Sequence, residues 1–272
     1  MKFFLHCLLS LGLLTLMVSA GAENDITTSM SGLEDENLQG SDWQSRIGAQ
    51  ALYVPKFSGA SGYEWTPFPL IDVQWKETVF LNSMRGIGLQ FKPMDRLQLG
   101  TMLNYNWGRD DDADHHLNDL GDVAGSFEGG VFAAYQVDAW RLDADVVHAL
   151  SHQGYDGLHG KIGLSNIQRF FNERLMLTAN VQTSFADSNY MRAYYGVTTE
   201  QSMSSGLKPY AAENGFYKVG ANLVAGYGIT RHIAINGSVG YERLLDKAAD
   251  SPIVQMANQY RAGVGVSYRF KY

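Results

Sequence analysis

The chain has 272 residues, with 28 acidic and 21 basic side chains. An acidic chain without a basic cluster argues against nucleic acid as a partner. After the N-terminal stretch no apolar run approaches the ~18 residues of a membrane helix, so any membrane crossing has to use strands. The 29 glycines and 15 tyrosines suit strands and turns better than helices.

Residues 1–22 have the pattern of a secretory signal peptide. Lys2 precedes a dense apolar run that ends in small residues, so we expect cleavage after Ala20 or Ala22. A membrane anchor is the alternative, but the run is short and no stop-transfer charges follow it. Cys7 is the only cysteine and lies inside this run, so the mature chain is predicted to have neither disulfides nor thiolate metal sites.

Residues 23–44 are acidic and lack periodicity, and the first basic residue after them is Arg46. We interpret this segment as a flexible acidic tail on the periplasmic side of a membrane. No linker interrupts the rest of the chain. We therefore assign residues 45–272 to a single β-barrel domain.

Strand-like runs follow one another from residue 45 to the C-terminus and predict an all-β fold, an antiparallel transmembrane β-barrel. A tilted strand crosses a bilayer in about 9–11 residues, with apolar side chains outward and polar side chains inward. We predict twelve strands, with ten as the alternative because Pro67 and Pro69 cannot donate ladder hydrogen bonds. The predicted strands are 45–55, 67–75, 77–83, 86–92, 95–107, 124–138, 139–150, 158–170, 173–186, 215–229, 230–243 and 259–272.

The last run, 259–272, has the clearest period of two. Aromatic and aliphatic residues occupy one face, and charged or small residues occupy the other. We expect Tyr268, Phe270 and Tyr272 to serve membrane insertion and interface anchoring. In the run 215–229 the same period places Tyr217 on the outward face.

The connections between the predicted strands alternate in length. The long ones are 56–66, 108–123, 151–157, 187–214 and 244–258, and the others are tight turns. Outer-membrane barrels have long external loops and short periplasmic turns. An even number of strands then places both termini in the periplasm. The tyrosines of loop 187–214 could form an external binding surface, or the loop could fold inward and constrict the pore.

Charged residues of both signs recur on the inward faces of the predicted strands. A solute channel would use them for selectivity, whereas pairing across the interior would fill the lumen. Both interpretations stay open. The lumen-facing candidates are Glu128, Arg141, Asp143, Asp145, Lys161, Arg174, Lys218, Arg261 and Arg269.

Catalytic and metal-binding motifs are incomplete. Asp110, Asp112 and Asp114 have the spacing of calcium ligands, but the glycine and the glutamate that such a loop needs are missing. His148 is close to Ser151 in sequence, but its strand phase places it on the outward face. There is no nucleophile elbow, phosphate loop or dinucleotide fingerprint. We therefore predict a protein that is not an enzyme, with no catalytic residue, cofactor or metal.

Five segments spread over nearly the whole mature chain resemble the MipA/OmpV family of outer-membrane proteins. They are Trp65–Trp75, Leu120–Asp122, Ala186–Val197, Ser205–Ala211 and Tyr241–Val254. Two departures affect loop and terminus only: Asp246-Lys247 stands in place of Gly-Asp, and Lys271-Tyr272 extends the chain beyond Phe270.

The resemblance implies a non-enzymatic barrel in the bacterial outer membrane, in contact with lipid and lipopolysaccharide. The family's founding member is regarded as a scaffold that brings a lytic transglycosylase together with a murein polymerase. The expected function is therefore a scaffold for peptidoglycan synthesis and hydrolysis. A porin-like diffusion channel and a surface adhesin acting through loops 108–123, 187–214 and 244–258 are the alternatives, because other members are described in those terms.

Overall fold

Twelve antiparallel strands close into one barrel in the computed structural model, which describes residues 42–151 and 154–270. Each strand pairs with its sequence neighbours, and β1 pairs with β12. The strands are β1 Trp43–Pro55, β2 Tyr63–Trp75, β3 Val79–Asn82, β4 Gly86–Met94, β5 Leu97–Asn106, β6 Ser126–Val137, β7 Trp140–Ala149, β8 Leu158–Phe170, β9 Leu175–Ala186, β10 Gly215–Gly228, β11 Ile233–Leu244 and β12 Asn258–Phe270. The prediction of twelve strands is confirmed. The predicted signal peptide, 1–22, lies outside the described residues. Of the predicted acidic tail, 23–44, only residues 42–44 are described. Strand β1 begins at Trp43, which is inside the range predicted for the tail.

The outer surface of the barrel is apolar. Aliphatic side chains in the middle of the strands are about half exposed, including Leu89, Val131, Val181, Val239 and Val264. Exposed aromatic residues lie at both ends of the strands. They include Trp43, Trp75, Trp140, Tyr227 and Tyr268 at one end, and Tyr53, Trp65, Trp107, Phe127 and Tyr260 at the other. An apolar belt between two aromatic girdles is the surface that a bilayer requires.

Long connections lie at one end of the barrel and short ones at the other. The end with long connections carries 107–125 and 187–214, whereas the turn between β6 and β7 is only 138–139. Three α-helices lie in the long loops: α1 Ser188–Tyr195, α2 Thr199–Ser205 and α3 Asp246–Ala249. Within the described ranges, no helix is both long and apolar enough to cross a membrane. Strand β1 begins and β12 ends at the short-turn end, as predicted for periplasmic termini.

The β3–β4 hairpin is much shorter than its neighbours and leaves part of β2 as an edge. The β2–β3 ladder ends at Asp72, and Ser83 then exchanges hydrogen bonds with the backbone of Ile71. Pro69 and Pro67 precede Ile71 by two and four residues, so all three present their backbone groups to the same side. Proline has no backbone N–H group. On this edge of β2 the two prolines therefore stand where an N–H group would have no strand partner. Both prolines lie within a regular strand, which β1 pairs along its whole length.

A β-bulge in β10 corrects one predicted side-chain direction. The register against β9 shifts between Phe216 and Lys218. Phe216 is 52% exposed, whereas Tyr217 is 1% exposed and Lys218 is 2% exposed. The prediction that Tyr217 faces outward is wrong, because the extra residue of the bulge turns two consecutive side chains inward.

Candidate functional site: the occluded lumen

Polar side chains fill the interior of the barrel and are almost completely removed from solvent. Glutamines, asparagines and serines on the inward faces each expose 8% or less of their surface. In a wide aqueous pore such side chains would be wet. Their burial shows that the lumen is packed across its section. The set consists of Gln50, Gln90, Gln98, Ser165, Asn180, Gln182, Ser184, Asn222, Asn236 and Ser267.

A buried charge triad joins β10, β11 and β12. An Arg261 Nη atom lies 2.6 Å from a Glu242 carboxylate oxygen, and Lys218 Nζ lies 3.9 Å from the other oxygen. The exposed fractions are 2% for Lys218, 1% for Glu242 and 5% for Arg261. Burial of three charges is tolerable only where opposite charges compensate each other. The triad therefore links three neighbouring strands close to the seam where the barrel closes.

A second network joins inward side chains of β7, β5 and β4 on one side of the lumen. Arg141 donates to Asp143 at 2.8 Å and to Gln98 at 3.1 Å, and Gln98 donates to Gln90 at 2.8 Å. The guanidinium of Arg85 lies 3.8 Å from Asp143. These contacts run along the inner surface of one side of the barrel, from the β3–β4 turn to β7. Charges that pair in this way close an interior rather than line an open path.

The outer part of the lumen holds a carboxylate with three donors. Glu128 accepts hydrogen bonds from Asn106 at 3.0 Å, from His159 at 3.0 Å and from the hydroxyl of Tyr155. Burial raises the pKa of Tyr155 far above its usual range, and the adjacent Glu128 carboxylate raises it further. Tyr155 therefore stays protonated and acts as a donor to this carboxylate at all physiological pH values.

Helix α1 closes the external mouth of the barrel. Its Tyr190 packs 4.6 Å from the ring of His159 and 5.7 Å from the ring of Tyr217. The hydroxyl of Tyr194 donates to Asn106 at 2.9 Å, and Tyr195 is 1% exposed. Of the two interpretations of loop 187–214, the structure favours the one in which the loop folds inward, because its tyrosines contact lumen residues.

Other external loops hold α1 in place. Arg109 donates to the backbone carbonyl of Tyr194 at 2.8 Å, and Ser251 donates to that of Tyr195 at 2.7 Å. Ser58 and Tyr195 share a hydrogen bond of 2.9 Å between their hydroxyl oxygens. Three separate loops thus contact one helix, so the plug is part of the packed structure.

The predicted lumen charges occupy three kinds of environment. Five are buried, namely Glu128, Arg141, Asp143, Lys218 and Arg261, and Asp145, Lys161 and Arg269 are partly buried. Lys161 lies 4.0 Å from Asp145. Arg174 differs, because it is exposed in the turn between β8 and β9, before β9 begins at Leu175.

Sequence reasoning missed five charged residues that lie inside the barrel or at its inner edge, one of which is Arg109, 4% exposed beneath α1. Arg46 and Asp72 form a pair at 3.4 Å, Arg85 lies in the β3–β4 turn, and Glu242 completes the triad. Glu242 could have been found, because it has the inward phase of β11. Tyr268 and Phe270 lie on the outer face at the short-turn end with rings 4.8 Å apart, and Tyr272 is outside the described residues.

A small cavity remains between α1 and the charge networks. Its volume is about 130 Å³, enough for about four water molecules at their liquid volume of about 30 Å³ each. Its lining includes Arg85, Asn104, Glu128, His159 and Lys161. The cavity extends from the β3–β4 turn along β5 to β8 and reaches Ser184 of β9 and Tyr217 of β10.

Carboxylates in the external loops serve structural contacts. In the described ranges no three His, Cys, Asp or Glu side chains converge as metal ligands. Asp114 accepts from the backbone N–H of His116 at 3.1 Å and lies 3.5 Å from Lys56. Asp122 accepts from the backbone N–H of Asp111 at 2.9 Å. The contact with Lys56 joins the β5–β6 loop to the β1–β2 loop, and the other two contacts fix the β5–β6 loop internally.

The fold and the interior together define a class. A closed antiparallel barrel with an apolar belt, two aromatic girdles and a polar interior is a bacterial outer-membrane β-barrel. A sequence model of the family described as MltA-interacting protein MipA matches residues 47–270. The chain belongs to this family, and the resemblance inferred from its sequence is confirmed.

Similar proteins agree with this assignment. The putative outer membrane protein YiaT of Escherichia coli K12 is 32% identical over 116 residues, which cover 42% of this chain and 47% of YiaT. The MltA-interacting protein of the same strain is 26% identical over 161 residues, covering 59% of this chain and 63% of that protein. Outer membrane protein OmpV of Vibrio cholerae is 33% identical over 87 residues, covering 32% and 33%. The matches thus span less than two thirds of each relative.

Solved structures of outer-membrane barrels show a distant likeness. The outer membrane channel DcaP of Acinetobacter baumannii has a TM-score of 0.41 and 9% identity, covering 84% of this chain and 96% of DcaP. The NanC porin has a TM-score of 0.40 and 10% identity, covering 84% of this chain and all of NanC.

Proposed function

We propose that this protein is a non-conducting outer-membrane scaffold that holds cell-wall enzymes at its periplasmic face. The observation that carries the proposal is the packed lumen. Ion pairs and hydrogen bonds join inward side chains of nearby strands, the inward polar side chains are buried, and α1 covers the external mouth. A barrel whose interior is filled still provides a stable membrane anchor, but it provides no path for general diffusion.

The packed lumen opposes the porin-like alternative. Opening a path would require removal of α1 from contacts with three other loops and disruption of buried ion pairs. Breaking a buried pair costs about 3–5 kcal/mol. An adhesin acting through the tyrosines of loop 187–214 is also disfavoured, because Tyr190 and Tyr195 are buried against the barrel. Scaffolding therefore fits the geometry better than either alternative.

The periplasmic end offers two surfaces for a partner. Its turns are short but expose apolar residues, including Met94, Phe171 and Ile229. The acidic segment 23–41 precedes β1 at this end. One relative is named MltA-interacting protein. By analogy we propose a lytic transglycosylase as the first partner of this chain and a murein polymerase as the second, with lipid and lipopolysaccharide around the barrel.

Capture by an immobilised lytic transglycosylase domain tests the scaffold. The mature protein in detergent is compared with a variant that lacks 23–41, a deletion that stops before β1 at Trp43. A variant with Gly/Ser residues in place of 23–41 controls for length. We expect the immobilised domain to capture the mature protein and to capture neither variant. Unchanged capture of both variants would exclude the acidic segment as the docking site, and no capture of the mature protein would overturn the scaffold.

Planar-bilayer recording tests the packed lumen separately. The folded barrel should insert without a steady conductance at moderate voltage. A variant that lacks 188–205, which removes α1 and α2, provides the comparison. A stable porin-sized conductance of the intact protein would contradict the proposal.

A further inference from the structure

The barrel wall has a gap in its outer half, on the side of the short hairpin. Strand β3 ends at Asn82 and β4 begins at Gly86, whereas β2 continues outward from Leu70 to Tyr63. On the external side of the β3–β4 turn, neither β3 nor β4 lies between β2 and the end of β5. The gap is bounded by residues 63–70, 83–85 and 104–107, and we call it the lateral window.

The sequence of β2 suits a permanently unpaired edge at membrane depth. An unpaired backbone N–H costs several kcal/mol in hydrocarbon. Pro67 and Pro69 remove two donors from the side of β2 that faces the window. If another strand paired with β2 at this edge, prolines at these two positions would remove two hydrogen bonds from the ladder. The prolines are therefore evidence that the window belongs to the native fold.

The internal cavity reaches the window. Consecutive residues from Asn104 to Arg109 line the cavity. Side chains alternate along a strand, so consecutive residues meet one space only where that space passes the end or edge of the strand. Trp107 is 52% exposed on the outer face, and Tyr105 packs against it with ring centres 4.9 Å apart. Met84 and Arg85 line the cavity from the β3–β4 turn. The cavity thus extends from the lumen to two borders of the lateral window, the β3–β4 turn and the end of β5.

The two ends of this passage differ in chemistry. Apolar and aromatic side chains surround the outer end, namely Met84, Tyr105 and Trp107. The cavity itself is lined by three cationic side chains, Arg85, Arg109 and Lys161, and by two carboxylates, Glu128 and Asp145. Three donors already bind one of these carboxylates. The lining has an excess of one positive charge when its histidine is neutral.

We propose that the lateral window binds a single-chain fatty acid from the outer leaflet of the membrane. The carboxylate enters the cavity beside Arg85 and Lys161, and the chain leaves through the window between Met84 and Trp107. The cavity has room for a carboxylate and a few methylene groups, so most of the chain stays in the membrane. One negative charge neutralises the excess positive charge of the lining.

Photo-crosslinking in phosphatidylcholine nanodiscs tests this proposal. The probe is a long-chain fatty acid with a diazirine beside its carboxylate, and its methyl ester is the uncharged control. We expect mass spectrometry to find the acid attached to inward residues of 83–85 and 104–106, with competition by oleate. The ester should label only the lipid-facing belt. Labelling by the acid that is confined to that belt, or equal inward labelling by the ester, would overturn the proposal.

Two variants complete the test. Arg85→Gln should reduce inward labelling about tenfold, because one charge-assisted contact is lost. Arg96→Gln is the matched control, since Arg96 is exposed in the turn at the other end of β4. Met84→Trp narrows the window and should also reduce labelling, so the test remains valid if Arg85→Gln does not fold. Transglycosylase capture by either variant should be unchanged, because the window is remote from the periplasmic end.

Discussion

Replacement of Glu242 by glutamine should destabilise the barrel strongly. The substitution leaves Lys218 and Arg261 buried together without their shared carboxylate. At an effective dielectric constant of about 20, the two attractions amount to about 4 kcal/mol at 3.9 Å and about 6 kcal/mol at 2.6 Å. Desolvation of the three ions offsets part of this gain. A net loss of about 3–5 kcal/mol is the usual result of removing one partner of a buried pair.

Urea unfolding of the refolded barrel in lipid vesicles, followed by tryptophan fluorescence, measures the loss. With a slope of about 3 kcal/mol per molar urea, the midpoint should fall by about 1–1.7 M. Asp72→Asn is the matched control. Asp72 also pairs with an arginine, at 3.4 Å, but its side chain is 37% exposed, so its loss should cost less than about 1 kcal/mol. Equal, small shifts for both variants would show that water reaches the triad, and the packed lumen would be refuted.

Three further predictions concern the loops and the seam. Tyr155→Phe removes a donor to Glu128 and should destabilise the external cluster by about 1.5–3 kcal/mol in the same urea assay, and an unchanged midpoint would contradict this. Burial and three neighbouring carboxylates raise the pKa of Asp110 above its usual value of 3.8, so the folded loop is favoured below that value and loses this contribution as pH rises through the raised pKa. Asp110→Asn should therefore increase hydrogen-exchange protection of 107–125 at pH 7 and have no effect at pH 3. Gly48→Ala places a Cβ atom 2.2 Å from a backbone oxygen of β12 and should cost about 1–3 kcal/mol in the urea assay, whereas Gly237→Ala, with no atom within 4 Å, should be neutral.

The strand order and faces of the barrel were predictable because a membrane imposes one simple period. Alternation in 259–272 and the difference between long and short connections identified the barrel and its orientation. The start of β2 was predicted at 67 but lies at Tyr63. Pro67 and Pro69 suggested that the strand could not extend through them. The rule that prolines interrupt a β-ladder does not apply on an unpaired edge, and sequence alone does not show which edge is unpaired. Only the length of β3 shows that this side of β2 is unpaired.

The contacts of the site were less predictable, because they depend on which loop covers which lumen residue. Nothing local in 187–214 shows that Tyr190 meets His159 or that Tyr194 meets Asn106. The inward position of Tyr217 results from a one-residue bulge, which the period of two conceals. Pairing between inward charges likewise depends on register, so sequence predicted charged residues in the lumen without showing whether they fill it.

Stability and ligand binding are expected to depend on different parts of the barrel, stability on the regular strands and binding on the irregular ones. Strands β10 to β12 form long ladders and carry the buried triad, so this side is expected to resist opening. Strands β2 to β5 include the four-residue β3, the proline edge and a register shift between Phe91 and Met94. The cavity reaches this second side at Met84 and Arg85 of the β3–β4 turn. Substitutions in the triad should therefore change unfolding without changing fatty-acid labelling, whereas Met84→Trp, which removes no charge, should mainly change labelling. If the same substitution changed both the urea midpoint and the fatty-acid labelling, stability and binding would not depend on separate parts of the barrel.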